Sequence, residues 1–103
     1  MGISIRGYHF EGPFSSPDSL QYGAGVFVVL CKTERGLCVL DVDEAESIRK
    51  SVDRHYRAGC WAKNCESEIL FAAHYTSGLT IMERAAITRS IRRKFPDMPC
   101  GGD

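Results

Sequence analysis

The chain lacks any apolar run long enough to cross a bilayer. Its longest, Ala24 to Cys31, is the size of a strand, whereas a spanning helix needs about 20 residues. Met1 to Phe10 has no basic region followed by an apolar block, so no secretory leader is expected and the cytoplasm is the expected location. Net charge is absent too, with 13 bases against 13 acids, so nothing global points to a nucleic-acid or membrane partner. There is no internal repeat, no low-complexity tract and no CxxC pair of the kind a regular zinc site uses. Five cysteines, an odd number in a chain with no leader, argue against a disulfide framework and for reduced thiols. Cys31 and Cys38 lie in apolar stretches and read as core. Cys60 and Cys65, with His55 and His74 as completing ligands, lack regular zinc spacing, so no metal is assigned.

What is present is the composition of an ordinary globular domain, 44% hydrophobic and 25% charged. At 103 residues there is room for one core, so 1–103 is expected to be a single domain. Its expected parts are a loop-rich segment 1–24, a core 25–95 and a tail 96–103. Charge is uneven along it. Residues 1–46 carry three bases against seven acids, a net of −4, and residues 47–103 carry ten against six, a net of +4. A basic half can dock phosphate, although solvated helix faces explain the same pattern.

Gly7, Gly12, Pro13, Pro17 and Gly23 make the N-terminal segment mostly loop, with room for a short strand at Ile3 to Phe10. Val26 to Cys31 and Leu37 to Val42 are apolar runs joined by a polar turn, which predicts a hairpin; their lack of alternation predicts burial on both faces. Asp43 and Glu46 have capping-box spacing ahead of a stripe at Ala45, Ile48, Val52 and Tyr56, so a helix is expected to run from there to Gly59. Cys60 to Ser67 reads as loop and Glu68 to Thr76 as a third strand. Thr80 and Glu83 form a second capping box, opening a helix with Ile87, Ile91 and Phe95 on its buried face and Pro96 at its end. The expectation is an α/β (α+β) domain, β-β-α-β-α, with a three-stranded, mainly antiparallel sheet flanked by helices.

Gly25-Val26-Phe27 opens a strand, and a second motif runs without a gap from Asp41-Val42-Asp43 to His55. Together they resemble the two signatures of the GIY-YIG nuclease superfamily, and the likeness extends over about residues 24–95. The resemblance implies phosphodiester cleavage that uses a first-motif tyrosine, a helical arginine and a glutamate holding one divalent metal ion, Mg²⁺ or Mn²⁺. Carried over residue by residue, the first tyrosine falls on Phe27, which has no hydroxyl. The second falls on Asp41, the motif glycine on Asp43, the arginine on Ser51 and the glutamate near Thr88; the histidine is kept as His55. Losing the arginine and the glutamate removes two electrostatic contributions, each worth about 10²–10³ in rate, so the resemblance implies a degenerate catalytic site with no confident catalytic residue and no assigned cofactor.

Three functions compete. The first is a degenerate nuclease fold that binds DNA, RNA or a nucleotide-like ligand through Arg49, Arg54, Arg57, Lys63 and Arg92, with Tyr56 and Trp61 available for base stacking. The second is a divergent endonuclease that uses Mg²⁺ or Mn²⁺ on relocated carboxylates Asp41, Asp43 and Glu44 together with His55; helix capping is the plainer use of Asp43 and Glu44. The third is a protein-binding scaffold presenting Tyr8, Phe10, Phe14, Leu20 and Tyr22, whose plainer use is to cover a sheet edge.

Overall fold

A computed structural model of the protein describes residues 2–101. Its centre is the hairpin of β3 (Gly25–Thr33) and β4 (Gly36–Ala45), with β5 (Glu68–Tyr75) antiparallel along the other side of β3. Successive β3 side chains enter opposite cores. Phe27, Val29 and Cys31 pack with Ile48, Val52, Trp61 and Phe71, while Val26, Val28 and Leu30 pack with Val42, Ala72, Ile87 and Ile91. A strand between two cores has no polar face, which is why its sequence does not alternate. β4 is less covered: Leu37 and Cys38 are exposed, and only Leu40 to Val42 are buried. At the start of β3, a side chain on Gly25 would lie 2.2 Å from the His74 carbonyl oxygen, so the close approach of β5 admits only glycine there.

The sheet has five strands, not three. The N-terminal segment, expected to be mostly loop with a short strand at Ile3 to Phe10, forms a hairpin, β1 (Gly2–Ile5) and β2 (Tyr8–Phe14), joined by a two-residue turn in which Arg6 and Gly7 both have positive φ. β2 pairs with β5, giving the order β1-β2-β5-β3-β4. Phe10 and Leu20 are buried in the two cores, so this segment mainly covers the β5 edge.

The expected helix from Asp43 to Gly59 is replaced by a longer strand and two short helices. β4 continues through Asp43, Glu44 and Ala45, and Ser47 is the N-cap of α1 (Ile48–Asp53). The Asp43–Glu46 spacing was therefore fortuitous: Asp43 Oδ1 accepts from the next backbone N–H rather than from a helix turn. Ile48 and Val52 are buried as the stripe predicts, but the chain turns at Arg54 and leaves Tyr56 exposed. The stretch read as loop after Gly59 includes most of α2 (Ala58–Lys63), which buries Trp61. α3 (Ile81–Lys94) begins with the reciprocal Thr80–Glu83 capping box and lies against β4 on the sheet face opposite α1 and α2.

The cysteines depart furthest from expectation. Cys31 is bonded to Cys65 and Cys60 to Cys100, while Cys38 is free and exposed rather than core. Cys60 and Cys65 thus belong to different bridges, and neither thiol is left to join His55 and His74 around a metal. No helix among the described residues is long and apolar enough to cross a membrane.

Candidate functional site

β4 builds the site through its pleat and one irregularity. Phe27 lies opposite Asp43 and Val29 opposite Asp41, while Leu40 is an extra residue without a partner. That bulge lets Leu40 join the same core as Val29 without breaking the strand, and it aims Asp41 and Asp43 at the face under α1 and α2.

There the two carboxylates meet Arg57, His55 and Trp61. Asp41, with 0% of its surface exposed, accepts from Arg57 Nε at 2.8 Å and Trp61 Nε1 at 2.7 Å through Oδ2, and from the Val42 N–H at 2.8 Å through Oδ1. Asp43 Oδ2 is 2.8 Å from His55 Nε2 and 3.1 Å from Arg57 Nη2. The second contact is an ion pair without hydrogen-bond alignment. The Arg57 backbone N–H donates to His55 Nδ1 at 3.1 Å. Nδ1 is therefore an acceptor, and the ring proton sits on Nε2, where it is donated to Asp43. Both nitrogens are engaged, so His55 has no free lone pair with which to deprotonate water.

Burial by itself would raise the Asp43 carboxyl, but the hydrogen bonds from His55 and the Glu44 N–H, with the nearby Arg57 charge, outweigh it and hold the group below its ordinary 3.8. A depressed folded-state value adds stability at pH above 3.8 that is lost as pH falls through it. Acid unfolding should therefore begin below about pH 4, and Asp43→Asn should flatten that limb of the stability curve followed by circular dichroism.

Of the six relic-site positions, the structure gathers Phe27, Asp41, Asp43 and His55. The Phe27 ring meets His55 edge-on at 5.7 Å between centroids. Ser51 lies on α1 outside this network. Thr88 is on α3 across the sheet, its hydroxyl donating to the Arg84 carbonyl, and Glu44 also faces that side, bound to Arg84 at 2.9 Å. The three carboxylates expected to share a metal site are thus divided between the two faces of the sheet by strand alternation.

The five basic residues assigned to phosphate do not form one surface either. Arg57 is held by Asp41 and Asp43. Arg49 pairs with Asp18 at 3.2 Å and lies over the Tyr22 ring. Arg54 and Lys63 are exposed beside α1 and α2, whereas Arg92, on α3, donates to the Val42 carbonyl. Trp61 is buried and unavailable for stacking on a ligand. Tyr56, in contrast, is 82% exposed. It stacks on His55 at 4.8 Å with an interplanar angle of 17°, and its hydroxyl accepts from Arg57 Nη1 at 2.6 Å. Two surface hollows lie elsewhere, one along the β1–β2 hairpin beside His9 and Glu11 and one between Leu37, Cys38 and Met98, and no relic-site residue lines either.

Residues whose roles sequence reasoning missed are Arg57, a partly buried counter-ion to the buried Asp41, and Trp61, a donor to Asp41. The available signal was a pair of acids two apart on an apolar strand, which cannot stay buried without cationic or N–H partners. No family model, no curated protein and no solved structure matches this chain.

Proposed function

We propose that the chain is a GIY-YIG-type nuclease fold that has lost hydrolysis and retains recognition of single-stranded nucleic acid. The carrying observation is the closed bonding of His55, with both ring nitrogens occupied by groups of its own chain. Two further features support the loss of chemistry. The carboxylates that would hold Mg²⁺ or Mn²⁺ already hold Arg57, and Thr88 lies across the sheet from them. The reading as nuclease fold is supported by the gap-free motif spacing and by the gathering of Phe27, Asp41, Asp43 and His55. For recognition, Tyr56 offers an exposed ring pinned from below by His55 and Arg57, with the Arg54 and Lys63 cations on the same side of the sheet. A base stacking on such a ring gains about 1–3 kcal/mol. The disulfides bear on compartment: both persist where conditions are oxidising, whereas the cytoplasm favours their reduction.

The test is fluorescence anisotropy with a labelled single-stranded oligonucleotide across a salt series, alongside incubation with Mg²⁺ and Mn²⁺. Affinity should fall steeply with salt, Tyr56→Ala should weaken it by about 5–150-fold, and the oligonucleotide should stay intact. Absence of binding at low salt would defeat the recognition reading. Cleavage that disappears in His55→Ala would restore the endonuclease.

A further inference from the structure

Beyond α3 the chain passes the edge strand β4, where Pro99 and Cys100 meet Cys60 of α2 and Gly101 lies over the Asp41–Arg57 pair. Three contacts hold this strap. Cys100, 1% exposed, is bonded to Cys60 of α2, and its N–H donates to the Leu40 carbonyl at 3.0 Å. Gly101, with φ of +68°, presses its backbone onto the pair so closely that a side chain there would lie 2.2 Å from Asp41 Oδ1 and 2.9 Å from Arg57 Cζ. Asn64 flanks the bridge, its amide donating to the Cys60 carbonyl at 2.9 Å.

We propose that Cys60–Cys100 is a redox latch, and that its reduction by a dithiol lifts the strap and opens the Asp41–Arg57 network to solvent. The two disulfides are not equally reachable. Cys31 and Cys65 are both buried, whereas Cys60 is partly exposed at the surface of α2. A thiolate of the reductant attacks Cys60 Sγ, and Cys100 departs as the thiolate carrying the strap. The reductant's second thiol then attacks the mixed disulfide and frees Cys60. Two electrons and two protons pass to the protein, which gains two thiols, and the dithiol leaves as its own disulfide. What remains of the strap's attachment is the hydrogen bond to Leu40, the packing of the Cys100 side chain in the core and the packing of Gly101. This inference does not depend on what the domain binds.

Trp61 is the chain's single tryptophan and donates to Asp41, so its fluorescence reports on the network the strap covers. Graded dithiothreitol, followed by alkylation and peptide mapping, should label Cys60 and Cys100 before Cys31 and Cys65. At that point acrylamide quenching of Trp61 should rise several-fold while far-ultraviolet circular dichroism is retained, and glutathione disulfide should reverse the change. Gly101→Leu, which dislodges the strap with the bridge intact, should raise quenching without reductant, and Cys100→Ser should do the same. The proposal fails if Cys31 and Cys65 are labelled first, or if quenching is unchanged once Cys60–Cys100 is open. It also fails if the dichroism collapses together with the rise in quenching, since the bridge would then be a structural brace. If Cys100→Ser does not fold, Gly101→Leu decides: quenching equal to wild type overturns the latch.

Discussion

Asp41→Ala should destabilise this domain by about 3–5 kcal/mol, the usual cost of removing one partner from a buried ion pair. The substitution leaves Arg57 Nε, Trp61 Nε1 and the Val42 N–H without an acceptor in a region closed to water. Each orphaned donor then carries its own desolvation cost. Since small domains are stable by only about 5–15 kcal/mol in total, the variant should melt well below the parent, at roughly 4–8 °C for every kcal/mol lost. The pair itself, set against a well-packed apolar alternative, adds little. Asp41→Leu combined with Arg57→Met should therefore recover much of the loss. Thermal melts of the three proteins check both statements. An Asp41→Ala melting point equal to the parent's would mean that solvent reaches the pair and that the site is open.

Removal of the Cys31–Cys65 bridge should cost a similar amount. It joins β3 to the segment after α2 across a separation of 34 residues, and restraining an unfolded chain over that length stabilises the folded state by about 4 kcal/mol in the chain-entropy treatment. Cys31→Ala with Cys65→Ala should lower the urea midpoint accordingly under non-reducing conditions. Against a parent already fully reduced the difference should largely vanish, because the bridge acts mainly on the unfolded ensemble. A deficit that persisted in full reductant would assign the effect to lost packing of the two sulfurs instead.

How far the sequence carried the fold depended on the range of the signal. The β3–β4 hairpin, β5 and α3 were legible because each is announced locally: two apolar runs around a polar turn, a third run, and Thr80 with Glu83 ahead of Ile87 and Ile91. The β1–β2 hairpin was missed because its turn is Arg6-Gly7, and an arginine at positive φ is not a usual turn signal. The first helix was started too early because Asp43 and Glu46 have the spacing of a cap. The alternation of Asp41 and Asp43 against Val42 and Glu44 continues the strand instead, sending the first pair under α1 and α2 and the second toward α3. Disulfide pairing cannot be read from spacing, and here the partners are 34 and 40 residues apart. Of the six positions expected to share one site, Phe27, Asp41, Asp43 and His55 lie together, whereas Ser51 on α1 and Thr88 on α3 lie apart from them. The engagement of Arg57 was not foreseen, because nothing local says whether an arginine beside a helix end faces water or a buried carboxylate.

The bulge and the strap together bear on self-association. β4 is one of the two edge strands, β1 being the other, and an edge strand with free carbonyls is a template on which another copy can add and begin a fibril. Two of its carbonyls are already taken, Leu40 by the Cys100 N–H and Val42 by Arg92. The domain thus plugs the middle of its β4 edge with a piece of its tail and a long cation from α3, and divides that edge into two short ledges, Gly36 to Val39 near the turn and Asp43 to Ala45 at the other end.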